Sequence, residues 1–137
     1  MEQRDYLLRQ VELIGQVLGK LLVRLFNLKN QKQENSVIEI TNEAISGDLG
    51  LDIKALIAID TNDLIKMLET EKGFNNENLE KLTDIFFIIA ESMKQEDRNQ
   101  LNEKCLTMYE YLEVTDSTYS LNRHLKIEQI RDNFDIK

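Results

Sequence analysis

Proline is absent from this chain of 137 residues, and glycine occurs only five times. Sandwiches, barrels and long irregular loops depend on those two residues for their turns, so their scarcity argues against such folds and excludes a collagen-like chain. Cysteine occurs once, at Cys105, so no internal disulfide can form and a reducing cytoplasm is the expected setting. Long hydrophobic runs are missing too. The longest, Leu56 to Ile59 and Ile85 to Ala90, fall far short of the roughly 20 residues that a membrane span needs. A signal peptide is not expected, because Asp5, Arg9 and Glu12 interrupt the stretch that should be apolar. Positive charge is also in deficit: 17 Lys and Arg stand against 25 Asp and Glu, a net of -8. That balance repels a polyanion, and no nucleic-acid partner is expected.

What is present suits one helical domain over residues 1–137. Apolar residues make up 42% of the chain, too many for a disordered protein, and the length allows about two thirds of the unfolded surface to be buried. Charge is unevenly distributed. Residues 1–29 carry five cations against three carboxylates, a net of +2, which leaves -10 for the remainder.

The clearest signal lies in residues 5–28. Leu7, Val11, Ile14, Leu18, Leu21, Leu25 and Leu28 follow a 4,3 spacing without a break, the seam of a long amphipathic helix. Leu8, Leu22 and Phe26 broaden that seam into a stripe suited to more than one neighbour. Gly15 and Gly19 lie one turn apart beside it. Each costs a helix about 1 kcal/mol against alanine, so their presence predicts a closely approaching partner backbone.

Residues 29–36, KNQKQENS, have no apolar anchor and read as a polar linker that lets the long helix shift against the rest. A helical-hairpin bundle is expected over 37–135. Its first helix runs from Val37 to Gly47, with Gly50 closing the turn. Asp52 to Ile59 is a short apolar segment for which a buried strand stays open, with a short helix favoured. Asp60 or Thr61 then caps a helix carrying Leu64, Ile65 and Leu68, with its stop at Gly73. Asn75 or Asn76 caps the next, from about Glu77 to Gln95, whose inward set of Leu79, Leu82, Ile85, Phe86, Ile89, Ala90 and Met93 leaves little polar face and makes it central. A helix from Glu96 or Asp97 to Val114 directs Leu101, Cys105, Leu106, Met108, Tyr109 and Leu112 inward. The last starts at Asp116 or Ser117 and lines Tyr119, Arg123, Ile127, Ile130 and Phe134 along one side.

The hairpin from Asn78 to Leu112, with its polar turn and its aromatic-rich second helix ending MYEYLE, resembles a tetratricopeptide-like helical repeat. Through DYLLRQVELIGQVLGKLL, GLDIKALIAIDTNDLIKML and YEYLEVTDSTYSLNRHLKIEQI, most of the chain resembles a family of small bacterial all-helical proteins of unassigned activity. The resemblance implies an all-α fold and a bacterial cytoplasmic setting, and it carries no catalytic residue across.

Catalytic signatures are missing. GxGxxG, the Walker loop, GxSxG and HExxH do not occur. His124 is the only histidine, and with Cys105 it falls short of a zinc set, so no metal or cofactor is expected. The carboxylate pairs Asp48 and Asp52, Asp60 and Asp63, Glu69 and Glu71, and Glu77 and Glu80 read as solvated faces. GDLGLD at 47–52 lacks the ligand ladder of a calcium loop and reads as a helix stop.

The expected function is therefore a non-enzymatic helical module for protein–protein interaction or self-association. Its candidate contact residues are Leu7, Val11, Ile14, Gly15, Leu18, Gly19, Leu21 and Leu25 on the long helix, and Tyr109, Tyr111, Tyr119 and Arg123 around the last turn. The helix seam has four readings: a homodimer contact, a partner groove, an interfacial membrane helix using Lys20, Arg24 and Lys29, or a helix folded onto its own hairpins. The +2 excess is slight against -10 elsewhere, which disfavours the membrane. A ligand-binding or enzymatic bundle built on the carboxylates and tyrosines is the alternative function.

Overall fold

The computed structural model describes residues 2–30 and 37–135. Among them are seven helices and no strand: α1 Glu2–Asn30, α2 Val37–Leu49, α3 Ile53–Ala58, α4 Thr61–Thr70, α5 Asn76–Glu91, α6 Gln95–Thr115 and α7 Leu121–Asp135. The fold is all-α, as composition and periodicity predict. The stretch read as a linker splits: Lys29 and Asn30 continue α1, whereas 31–36 lie outside the described residues.

Local chemistry sets the breaks. Asp52 caps α3 by accepting from the Lys54 N–H, Asp60 caps α4 through Asn62 and Asp63, and Asn75 caps α5 by accepting from Asn78 at 2.8 Å. Gly50 and Gly73 hold positive φ of 65° and 74°. Each turns the chain so that the next residue, Leu51 or Phe74, drops into the core. Because Gly50 supplies the left-handed turn, α2 continues past Gly47 to Leu49, beyond its expected stop. α5 ends earlier than expected, at Glu91. Arg98, from the first turn of α6, closes it by donating to the carbonyls of Ala90, Glu91 and Met93.

α5 is the central element, packing most extensively on α6 and next on α1. Leu79, Leu82, Ile85, Phe86 and Ile89 are completely buried. Cross-helix bonds define the directions. Asn76 pairs with Thr115, Asp84 with Tyr109 and Ala90 with Arg98, a descending order that makes α5 and α6 an antiparallel hairpin. Val11 pairs with Asn78 and Lys29 with Glu91, so α1 runs parallel to α5. Glu80 pairs with Arg123 and Asp84 with Lys126, so α7 is parallel to α5 as well.

The seam of α1 is used inside the bundle. Ile14, Leu18, Leu21 and Leu25 are buried in the common core, Val11 is half-buried, and Leu7 is exposed beyond it. The two glycines on α1 differ. A Cβ on Gly15 would stand 3.0 Å from Asn78 Oδ1, whose amide donates to the Val11 carbonyl at 3.0 Å, so the close neighbour is a side chain and not the expected backbone. A Cβ on Gly19 would meet nothing. Gly19→Ala should therefore stabilise the chain by about 1 kcal/mol in urea unfolding, the helix-propensity difference. Gly15→Ala should give no such gain, because Asn78 has to move.

Candidate functional site

The two groups of candidate residues separate in space. Tyr109 is fully buried and donates to Asp84 Oδ1 at 2.6 Å, and Lys126 also reaches Asp84 at 2.9 Å. Tyr111 donates to both carboxylate oxygens of Glu69, at 2.9 and 2.7 Å, and so ties α6 to α4. Tyr119 is 68% exposed in the turn before α7, its ring 6.2 Å from that of His124. The tyrosines thus form no common surface.

Arg123 reverses an expectation: it is buried, not part of an exposed face. Its Nη1 donates to Glu80 at 2.6 Å and to Asp116 at 3.2 Å, and Nη2 donates to the Thr118 carbonyl. Nε stands 3.4 Å from Glu113 as an ion pair without hydrogen-bond geometry. The guanidinium gathers α5, the end of α6 and the following turn. That turn displaces the start of α7 from the expected Asp116 or Ser117 to Leu121, with the Ser120 hydroxyl accepting from the Arg123 N–H. Asp116 is held below its ordinary pKa by the Thr118 N–H first and Arg123 second.

Sequence reasoning missed the other buried polar groups. Asn78, Asn102 and Lys104 are all buried. Lys104 Nζ donates to the Ile59 carbonyl at the corner between α3 and α4, and burial pushes its pKa down. Their positions on the apolar periodicity were a signal, but polarity alone assigns such residues to the surface. Five of the paired carboxylates serve as caps or ties: Asp52 and Asp60 cap helices, Glu69 accepts from Tyr111, Glu77 pairs with Lys81 and Glu80 with Arg123. His124 pairs with Glu128 along the exposed side of α7. Among the described residues, no group of three or more His, Cys, Asp or Glu side chains is placed to hold a metal ion, and no helix is long and apolar enough to cross a membrane.

Burial raises the pKa of both the Cys105 thiol and the Tyr109 hydroxyl, with Asp84 adding to the effect. The unfolded chain therefore loses these protons first, from about its ordinary values of 9.0 and 10.0, while the native state retains them. Their stabilisation is complete below those values and is lost as pH rises. Melting temperature should fall above pH 9, and more gently in Tyr109→Phe. An unchanged slope in that variant would contradict the assignment.

Clefts lie on both flanks of α1. On the α2 side, a cleft of about 480 Å³ is lined by Tyr6, Arg9, Leu13, Lys72 and Phe74 among others. A second, of about 370 Å³, continues along Lys20, Arg24 and Ala44. On the α7 side, a groove of about 460 Å³ passes over Phe87 and Ile88 between Val23 and Phe26 of α1 and Lys126 of α7. Lys126 Nζ stands 6.0 Å above the Phe87 ring. The flanks expose large apolar side chains, with Leu13 at 51%, Val23 at 63% and Phe26 at 58%. Of these, only Phe26 stood out in the sequence, as part of the widened stripe. No protein family, curated protein or solved structure matches the chain.

Proposed function

We propose that this chain is a non-enzymatic helical module whose long first helix binds a protein partner. The observation that carries this reading is the double use of α1: Leu18 and Leu25 are sealed in the core, while Leu13, Val23 and Phe26 stand more than half exposed beside clefts on its two flanks. Large apolar side chains at the edge of a concave surface mark an interaction site more than a packing need. The tetratricopeptide-like hairpin α5–α6 is the scaffold that holds α1 in place, and a bacterial cytoplasm is the setting the reading favours. Of the groups the alternative enzymatic reading would use, Tyr109, Tyr111, Glu69 and Glu80 are engaged in inter-helix ties and Asp52 and Asp60 in caps.

The test is site-specific photo-crosslinking in the source cells, with a photoreactive residue placed at Leu13 or Val23 and a control at the exposed Glu128 of α7. A discrete protein adduct from the α1 positions and none from the control is the expected result. No adduct, or the same pattern from all positions, contradicts the proposal. A homodimer adduct makes the partner a second copy of the chain.

A further inference from the structure

Along its α2 side, α1 carries the reverse of the chain's overall charge. The two clefts there share Leu13 and Asp48 and so join into one trough. The charged side chains lining it are Arg9, Lys20, Arg24 and Lys72 against the single carboxylate of Asp48, in a protein whose net charge is -8. None of the four cations makes an ion pair among the described residues, whereas Lys29 at the far end of α1 is paired with Glu91. From Tyr6 to Arg24 the trough follows roughly 27 Å of helix, at 1.5 Å rise per residue, enough for a partner helix of several turns.

We infer that this trough is the docking site for an amphipathic helix of a partner protein, one whose apolar stripe is flanked by aspartate and glutamate. The inference rests on the interaction reading above and adds the side of α1 that is used and the chemistry of the partner. Apolar contacts at Tyr6 and Leu13 take the stripe, and the unpaired cations beside them take the flanking carboxylates. A flat anionic membrane fits less well: the site is concave, and the acidic remainder of the chain opposes such a surface. The same basic flank on a second copy repels, so self-docking of α1 on α1 is disfavoured.

The test pans a display library of ~20-residue helices, with apolar residues fixed at i, i+3, i+4 and i+7 and all other positions random, against the full chain. Enriched clones are expected to carry a clear acidic excess. Binding of the best clone, followed by fluorescence anisotropy, is expected to weaken about tenfold in Arg9→Glu/Lys20→Glu and again in about 0.5 M salt. Leu13→Asp should abolish it and Val23→Asp/Phe26→Asp should leave it unchanged. All five substituted positions are exposed, so circular dichroism should report intact folds. Failure to enrich any clone overturns the inference, as do neutral or basic winners. A dimer through the trough, or pelleting with phosphatidylglycerol vesicles that Arg9→Glu/Lys20→Glu abolishes, overturns it by naming another occupant. Clones blocked by Val23→Asp/Phe26→Asp instead overturn it while leaving the interaction reading intact; that reading fails when crosslinking from α1 gives no adduct or the same pattern as the Glu128 control.

Discussion

Replacing Arg123 with methionine should lower the unfolding free energy by about 3 kcal/mol, toward the lower end of what breaking a buried ion pair costs. The guanidinium is fully buried, while Glu80, Glu113 and Asp116 are each roughly a quarter to a third exposed. Water can therefore partly rehydrate the carboxylates once the cation is gone, which keeps the loss below the top of the range. Three carboxylates still converge on one point with nothing between them. The Thr118 carbonyl loses its donor as well, so the turn leading into α7 should loosen first. Acid provides an independent check. Asp116 has a lowered pKa in the folded chain, so its contribution is present above the ordinary value of 3.8 and is lost as pH falls through the lower, native value. In Arg123→Met the drop in melting temperature between pH 5 and pH 2 should be shallower than in the unaltered chain. A variant as stable as the parent would show that the cluster does not hold α7.

The second large effect lies on the seam of α1. Leu7 and Leu18 occupy the same heptad stripe, but Leu18 is completely buried and Leu7 is 54% exposed. Leu18→Ala should cost about 3 kcal/mol in urea unfolding, the sum of lost burial and the cavity left behind. Leu7→Ala should change stability by no more than about 0.5 kcal/mol. Equal effects at the two positions would mean that the whole seam is buried in the same way, as in a paired helix, and would contradict the observed packing.

These two sites show how far the sequence could be read. The 4,3 spacing of α1 and the near-continuous apolar run of α5 identify both helices, since burial on one or on most sides leaves its period in the chain. The caps Asp60 and Asn75 were legible, each as one of two adjacent candidates, because an acceptor before an apolar run has a specific use, whereas Asp52, read as the first residue of its helix, proves to be a cap. Arg123 is the instructive case. Periodicity places it in line with Ile127 and Ile130, on the buried side, but its charge suggests an exposed interface. The structure resolves that conflict in favour of the period, because Glu80 of α5 and two carboxylates at the end of α6 converge on it. Such partners, 43 residues away for Glu80, have no local signature. Gly19 fails in the opposite sense: a glycine in mid-helix predicts a close approach, and here open space lies beside it. The trough beside α1 was only partly legible, since the excess of positive charge in residues 1–29 is visible in the sequence but the contributions of Asp48 from the end of α2 and of Lys72 and Phe74 from the α4–α5 turn depend on elements brought together by the fold.

The central claim is that α1 belongs to the core of its own chain through one face and is free for a partner through its flanks. Light scattering coupled to size exclusion, on the full chain and on a shortened chain beginning at Gln33, tests it most directly. The expected result is a full chain of 16.1 kDa and a shortened chain that aggregates, because loss of α1 uncovers α5 and α2. A dimeric full chain whose shortened form is a soluble, folded monomer would contradict the claim, since the seam would then join two copies instead of completing one.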